Sequence, residues 1–172
     1  EVENQKIEFH PVESPLRQGS YRGLASTANV FVRECQMNDM ASLKKMDAVE
    51  FRLKNLKDQR LKDVLEATAN AFGWKKAKPK DHGFGIACAY EKGGYVGTAV
   101  EVEVTNGELK IVRIVTAFEC GKIIHPRHLK SQVSGGLLQG LGGALFEAVD
   151  FKDGKIINPS LANYRVPRFK DI

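Results

Sequence analysis

The chain has 172 residues, of which 42% are hydrophobic and 27% charged, and its formal net charge is +5. These proportions are ordinary for a globular protein of one domain or two small ones, and no apolar stretch is long enough to span a membrane. Much of the positive charge comes from Lys75, Lys76, Lys78 and Lys80. Because aromatic residues do not alternate with these lysines, the sequence predicts a solvated connector and no nucleic-acid partner.

The cysteines and histidines do not have the spacing of a metal centre. Cys35, Cys88 and Cys120 lie far apart and match neither metal ligands nor a disulfide framework, so we expect buried, reduced thiols. His125 and His128 share a helical face but have no third ligand beside them. The sequence therefore predicts no metal ligands in this chain.

A first segment, residues 1–73, is predicted to contain a strand, a loop and three helices. Alternation predicts a short strand over residues 6–10, followed by a loop that contains Pro11 and Pro15 and ends in Tyr21-Arg22-Gly23. A helix is expected from Ser26 or Thr27. Its predicted apolar face consists of Thr27, Ala28, Phe31, Val32 and Cys35.

Two more helices have clear boundary signals. Asp47 is predicted to cap a helix that runs through Phe51 and Leu56, with Glu50 at the capping-box position. The next helix spans about residues 58–72 and ends at Gly73. Its inward positions follow helical spacing and are Leu61, Val64, Leu65, Ala69 and Phe72.

Beyond a basic linker at residues 74–82, the pattern changes to strands, predicted over 83–90, 95–105 and 109–118. Asn106-Gly107 is a strong signal for a two-residue hairpin turn. In the second strand, valines alternate with Glu101 and Glu103, which predicts one apolar face and one solvated face. The two glutamates are alternatively an acid–base pair, although the solvated face is the favoured interpretation.

The run from Gln132 to Gly143 contains five glycines within an amphipathic helical pattern, although each interior glycine costs up to about 1 kcal/mol relative to alanine. A helix is expected from Pro126, since proline favours the first helical position. One predicted stripe consists of Gln132, Gly136, Gln139, Gly140 and Gly143, and an adjacent apolar stripe of Val133, Leu137, Leu141 and Ala144. The glycines serve either close helix packing or the approach of a flat polar ligand.

The order of these elements predicts an α+β fold, with a helical segment followed by an antiparallel or mixed sheet packed with the long glycine-bearing helix. Residues 83–172 form the second predicted segment, which includes a hairpin turn at Asp153-Gly154. The sequence contains no nucleophile elbow, phosphate loop or dinucleotide fingerprint.

Three segments are instead rich in small residues or amides: Tyr21-Arg22-Gly23, Gly97-Thr98-Ala99 and the helix that carries Gln132 and Gln139. Small residues expose backbone N–H groups, and side-chain amides both donate and accept hydrogen bonds. The helix N-terminus near Pro126 adds a predicted anion site. Together these segments predict a binding wall for a large, polar, anionic cofactor.

Several segments, in order along the chain, also form a recognisable series. The first two are Asn29-Val30-Phe31-Val32-Arg33-Glu34 and Asp47-Ala48-Val49-Glu50-Phe51-Arg52. Residues 101–104, 119–121 with Pro126, 132–141 and 163–167 follow. This series resembles the large molybdenum-cofactor-binding subunit of the xanthine dehydrogenase and aldehyde oxidase family, most of all the isoquinoline 1-oxidoreductase β-subunit type.

The resemblance implies roles for individual residues. Arg22 and Gly23 would belong to a loop beside the molybdenum, and Gly97, Thr98 and Ala99 to a strand end that lines the site. Gln132 would hydrogen-bond the pyranopterin, and Gln139 is assigned to the same cofactor-binding set. Leu24 would lie on the substrate side, where the family has an aromatic residue, so the substrate class is not transferred.

The family oxidises an electron-poor carbon with water as the oxygen source, assisted by a glutamate general base in a Gly-x-Gly-Glu type segment that this sequence lacks. The resemblance therefore implies no catalytic residue in this chain, which we expect to be an inactive piece of the large subunit with no cofactor of its own. The implied partners are the remainder of that large subunit and an iron–sulfur electron-transfer subunit or domain. The compartment, cytoplasm or periplasm, stays open. The alternative is a noncatalytic domain for packing or subunit contact.

Overall fold

The computed structural model describes residues 4, 6–14, 16, 19–20 and 22–171, apart from the side chain of Lys170. These residues form two compact units. The first runs from Arg22 to Lys122, and the second combines the described residues up to Ser20 with the chain from Ile123 onward. Within the described ranges, no helix is both long and apolar enough to cross a membrane.

Three helices open the first unit: α1 (Ser26–Leu43), α2 (Ala48–Asn55) and α3 (Gln59–Phe72). As predicted, Asp47 caps α2, because its carboxylate accepts hydrogen bonds from the backbone N–H groups of Val49 and Glu50. Asp58 caps α3 in the same way. Gly73 ends α3 in the left-handed conformation, with φ 73°.

The sheet of the first unit is antiparallel and has the strand order β1 (His82–Glu91), β2 (Gly94–Thr105) and β3 (Glu108–Glu119). Tight turns at Lys92-Gly93 and Asn106-Gly107 join the strands, and all four turn residues have positive φ. Because β2 is the central strand, it pairs with β1 on one side and with β3 on the other. Helices together with an antiparallel sheet confirm the α+β fold class.

The core of the first unit lies between α3 and the sheet. The buried residues of α3 are Leu61, Val64, Leu65, Thr68, Ala69 and Phe72, which include every predicted inward position. They pack against Ile86, Cys88, Tyr95 and Ala99 of the sheet. Residues 74–82, predicted as a linker, lie inside this unit, where they follow α3 and reach the first residue of β1, and Trp74 packs against the core.

The predicted faces of β2 are wrong. Glu101, expected on a solvated face, is only 8% exposed and shares the face covered by α3 with Gly97 and Ala99. Val100 and Val102 are half-buried on the opposite face. A carboxylate is buried here because it has charged partners, which the alternation of valine and glutamate does not reveal.

The predicted apolar face of α1 is also wrong. Phe31 and Val32 are 69% and 64% exposed, whereas Glu34 and Ala41 are buried. The expectation of buried thiols is right for Cys88 and wrong for Cys35 and Cys120, which are exposed. A buried charged side chain, rather than an apolar stripe, attaches α1 to the rest of the unit.

The second unit contains the glycine-bearing helix α4 (Pro126–Leu145), the hairpin β4 (Phe151–Lys152) and β5 (Lys155–Ile156), and a short 3-10 helix at Phe169–Asp171. The predicted turn at Asp153-Gly154 is confirmed, with φ values of 49° and 72°. Residues 6–10 do not form the predicted strand, since alternation without a pairing partner does not make one. Pro15 and Tyr21 of the predicted loop lie outside the described residues.

Candidate functional site

The helix α4 begins at Pro126, as predicted, after the N-cap residue His125. The predicted stripe is exposed along its whole length and consists of Gln132, Gly136, Gln139, Gly140 and Gly143. The adjacent positions Val133, Leu137 and Leu141 are half-buried, while Ala144 is exposed. The helix therefore presents an exposed strip that carries two amide side chains and otherwise little beyond backbone. We call this strip the glycine stripe.

Close packing within the described chain does not account for the glycine stripe. A Cβ placed on Gly136, Gly140 or Gly143 would meet no atom within 4 Å. Gly142 differs, because it is buried and a Cβ there would lie 2.9 Å from Pro167 Cδ. Packing thus explains Gly142 and leaves the glycines of the stripe open to an approaching group.

The segment Gly97-Thr98-Ala99 lies in the middle of β2 rather than at a strand end. Gly97 and Ala99 are buried under α3. Thr98 is half-buried on the opposite face, where its hydroxyl shares a 3.1 Å hydrogen bond with the hydroxyl of Thr116. The backbone of this segment pairs with β1 at Ala87 and on its other side with β3, so these residues are fixed by the sheet.

Gly97 allows α3 to lie close against the sheet. A Cβ at this position would stand 2.5 Å from Thr68 Oγ1 and 3.1 Å from the carbonyl oxygen of Val64. Real Cβ atoms do not approach another heavy atom as closely as the first distance. Packing therefore requires a glycine here, whatever further role the segment has.

The turn before α1 contains Arg22, Gly23 and Leu24. Gly23 has φ 79°, and a Cβ there would stand 2.5 Å from Thr27 Oγ1, so glycine is required on both grounds. The hydroxyl of Thr27 donates to the carbonyl of Arg22 at 3.2 Å. Leu24 has φ 50° and is 52% exposed, so the turn directs a strained, apolar residue outward.

The N-terminus of α4 is basic, but its cap is filled. Arg127 and Lys130 lie near its start, and the first turn contains no acidic residue. His125 Nδ1 accepts a 3.2 Å hydrogen bond from the backbone N–H of His128, and Pro126 has no N–H. Two of the backbone donors that the predicted anion site would use are therefore lost.

The two histidines of this helix start, His125 and His128, lie against each other. Their rings are stacked, with centroids 3.7 Å apart. Among the described residues, no group of three or more histidine, cysteine, aspartate or glutamate side chains is placed to hold a metal ion.

A charged cluster around Glu101 was not predicted. Its Oε1 lies 2.8 Å from His82 Nδ1, and its Oε2 accepts a 3.3 Å hydrogen bond from Arg113. The hydrogen bond with His82, supported by Arg113, lowers the pKa of Glu101 although burial opposes this. Arg113 also donates to the carbonyl of Phe72 at 2.9 Å and so satisfies the end of α3. Both carboxylate oxygens are engaged, which argues against an acid–base pair with Glu103.

The predicted site residues are divided between the two units. Arg22, Gly23 and Leu24 lie in the turn before α1, and Gly97, Thr98 and Ala99 lie on β2, all in the first unit. Gln132 and Gln139 lie on α4 in the second unit.

The chain is similar to several large proteins. It is 25% identical over 191 residues to a nicotinate dehydrogenase component of Pseudomonas putida, an alignment that covers 100% of this chain and 16% of that protein. It is 27% identical over 157 residues to the beta component of isoquinoline 1-oxidoreductase of Brevundimonas diminuta, with 88% and 20% covered. It is 37% identical over 87 residues to PaoC, the molybdenum-binding component of an aldehyde oxidoreductase of Escherichia coli, with 48% and 12% covered. The chain thus spans a fifth or less of the length of these relatives.

A family model described as a molybdopterin cofactor-binding domain matches residues 19–172, a range that includes every predicted site residue. This match confirms the resemblance inferred from the ordered segments between Asn29 and Pro167. Because the match extends over most of the sequence, the chain belongs to the family of molybdopterin cofactor-binding domains.

Proposed function

We propose that this chain forms part of the cofactor-binding wall of a larger molybdenum hydroxylase, which oxidises an N-heteroaromatic or aldehyde carbon with water as the oxygen source. The observation that carries the proposal is the glycine stripe of α4, with Gln132 and Gln139 exposed among glycines that packing does not explain.

The glycine stripe fits a flat, polar, anionic group for three physical reasons. The open space above Gly136 and Gly140 lets a ring system approach the helix closely. The amide of Gln132 donates and accepts at once, which suits the mixed edge of a pterin. Arg127 and Lys130, together with a first turn that contains no acidic residue, favour a phosphate-bearing arm electrostatically.

The first unit contributes the turn before α1 and the strand β2. In this proposal the guanidinium of Arg22 and the backbone at Gly23 face the cofactor, and Leu24 lies on the substrate side. Gly97, Thr98 and Ala99 contribute mainly by fixing the position of β2. When bound, the cofactor supplies a two-electron redox centre, and the residues of this chain bind and orient it.

The names of the relatives suggest the substrate class. Nicotinate and isoquinoline are N-heteroaromatic compounds, and the third relative is named for aldehydes. We propose that the general base comes from another part of the same polypeptide and that an iron–sulfur partner accepts the electrons. The isolated chain is accordingly inactive. A noncatalytic packing domain is the second candidate, favoured by the close contacts at Gly97 and Gly142.

The test is Gln132→Leu in the full-length protein, assembled at limiting cofactor. Leucine has similar bulk but makes neither hydrogen bond, which leaves polar cofactor atoms unpaired at a cost of about 1–3 kcal/mol. We expect molybdenum and pterin content to fall about tenfold, with little change in the melting temperature of the cofactor-free protein.

Gln36→Leu provides the matched control, because Gln36 is also an exposed glutamine on a helix. It should leave the cofactor content at the wild-type level. Equal cofactor content in the Gln132→Leu protein and the wild type would contradict the proposal and favour the packing domain.

A further inference from the structure

The helix α1 is held in place by charge more than by apolar packing. Its buried residues are Glu34 and Ala41, while Phe31 is largely exposed. A cavity of about 300 Å³ is lined by Met37 and Met40 of α1 together with residues that include Leu56 and Leu61. Apolar contact is therefore incomplete on this side of α1, and the attachment depends on polar side chains.

The attachment centres on a buried ion pair between Glu34 and Arg52 of α2. Arg52 is fully buried, and its Nε donates to Glu34 Oε2 at 2.9 Å. Its Nη2 donates to the backbone carbonyl of Glu34 at 3.1 Å, and its Nη1 donates to that of Ala48 at 3.0 Å. The guanidinium thus binds the side chain and the backbone of α1 together.

The same ion pair covers the free edge of the sheet at Cys88. The backbone N–H of Cys88 donates to Glu34 Oε2 at 3.0 Å, and its carbonyl accepts a 3.1 Å hydrogen bond from Arg33 Nη2. Because β1 is an edge strand of the sheet, no strand within the described ranges pairs with these backbone groups. Side chains of α1 take the place of that strand and fix the position of the helix along β1.

The turn that contains Arg22 is joined to the start of α1 and follows its position. The backbone N–H of Ser26 donates to Gly23 at 3.1 Å, and the hydroxyl of Thr27 donates to Arg22 at 3.2 Å. The hydroxyl of Ser26 also donates to Glu91 at the end of β1. A shift of α1 along the sheet edge would therefore move the turn.

We propose that Glu34 and Arg52 are positioning residues that hold the turn of Arg22, Gly23 and Leu24 at the cofactor. This inference rests on the proposed function, which places that turn beside the cofactor. The inference also gives a physical role to two of the segments on which the family resemblance is based. Residues 29–34 end at Glu34, and residues 47–52 end at Arg52.

The experiment compares Arg52→Met with Arg60→Met in the full-length, cofactor-loaded protein. Arg60 is a suitable control because it forms a surface ion pair with Glu119 in the same unit, away from the Glu34–Arg52 pair. Hydrogen exchange of the amides is measured for residues 22–36 and for α3. In Arg52→Met we expect exchange about tenfold faster in residues 22–36 with α3 unchanged, and in Arg60→Met no rise in residues 22–36.

The electron paramagnetic resonance signal of the reduced molybdenum centre provides the second readout. We expect it to change in Arg52→Met and in Arg22→Met and to stay at the wild-type form in Arg60→Met. Unchanged exchange in residues 22–36, or an equal rise in α3, would overturn the positioning role even if Arg22→Met alters the signal. An unaltered signal in Arg22→Met would instead overturn the proposed function of the turn.

A milder variant keeps the test decisive if Arg52→Met does not fold. Arg33→Met removes the hydrogen bond to the carbonyl of Cys88 and the 3.2 Å ion pair with Glu34 Oε1, but it keeps the bond between Arg52 and Glu34 Oε2, and the Arg33 side chain is 51% exposed. It should raise exchange in residues 22–36 about threefold with α3 unchanged. No rise in this variant would also overturn the inference.

Discussion

Gly97→Ala tests whether close packing of α3 on the sheet decides the residue at position 97. The new Cβ would stand 2.5 Å from Thr68 Oγ1 and 3.1 Å from the carbonyl of Val64. Thr68 cannot turn away freely, because it is fully buried and its hydroxyl donates to that same carbonyl at 2.8 Å. Alanine at position 97 therefore fits only if α3 moves away from β2 or if the Thr68 hydroxyl loses its hydrogen bond to the Val64 carbonyl.

The expected cost follows from two opposing effects. Overpacking a well-packed site costs about 1–3 kcal/mol, and replacing glycine by alanine returns about 0.4–1 kcal/mol by restricting the unfolded chain. We therefore expect a net loss of about 1–2 kcal/mol in the free energy of unfolding of the first unit. For a unit of this size the melting temperature falls by roughly 4–8 °C per kcal/mol.

Fluorescence of Trp74 reports on this unit specifically, because it is the only tryptophan of the chain and packs beside Phe72 and Phe84. Urea unfolding followed at Trp74 should show the loss for Gly97→Ala. The control Gly85→Ala lies in the same sheet at a position where a Cβ meets open space. Its free energy of unfolding should show almost no loss.

A double-mutant cycle between Gly97→Ala and Thr68→Ala isolates the contact. Removing the Thr68 hydroxyl relieves the 2.5 Å approach, so the double variant should be more stable than the sum of the single effects by about 1 kcal/mol. If the two effects add within about 0.5 kcal/mol, or if Gly97→Ala matches Gly85→Ala, the packing argument is refuted.

Two further predictions concern ionisable groups. Burial, reinforced by the charge of Glu34, raises the pKa of the Cys88 thiol to about 11. A thiol reagent near pH 8 should therefore modify Cys35 and Cys120 quickly and Cys88 only after unfolding. Rapid modification of all three cysteines would contradict this prediction. Since the pKa of Glu101 lies below its ordinary 4.5 in the folded state, its pairing stabilises the protein above that value and is lost as the pH falls through the lowered pKa. The difference in melting temperature between wild type and Glu101→Gln should therefore be fully present above pH 4.5 and shrink as the pH falls below that value, and a constant difference would show that the carboxylate charge is not involved.

The helices with their own boundary signals could be predicted from the sequence. Asp47, Asp58 and Gly73 act within a few residues of their own position, so the local sequence contains all the information that the caps need. The inward face of α3 was equally clear, because its buried positions repeat at helical spacing. The glycine stripe of α4 could be predicted for the same reason, because the spacing of its residues along one helix places them on one exposed face.

The buried charges could not be predicted, because their partners lie far away in sequence. Glu34 meets Arg52 and Cys88, which are 18 and 54 residues away. A continuous hairpin register from Asn106-Gly107 would place Val112 opposite Glu101, since Thr105 pairs with Glu108. The irregularity between Glu101 and Val102 shifts the register by one residue and brings Arg113 opposite Glu101 instead. This shift gives the buried carboxylate its partner.

Three of the segments by which the family is recognised, residues 29–34, 47–52 and 101–104, hold the first unit together. Glu34 and Arg52 anchor α1, Asp47 begins α2, and Glu101 secures the end of α3 through Arg113. A buried charge requires its particular partner, because losing one member of such a pair costs about 3–5 kcal/mol. Leu24 is under no such constraint, since it is 52% exposed on a turn. In the first unit these motifs therefore reflect the interior of the fold, whereas an exposed position such as Leu24 can change without disturbing that interior.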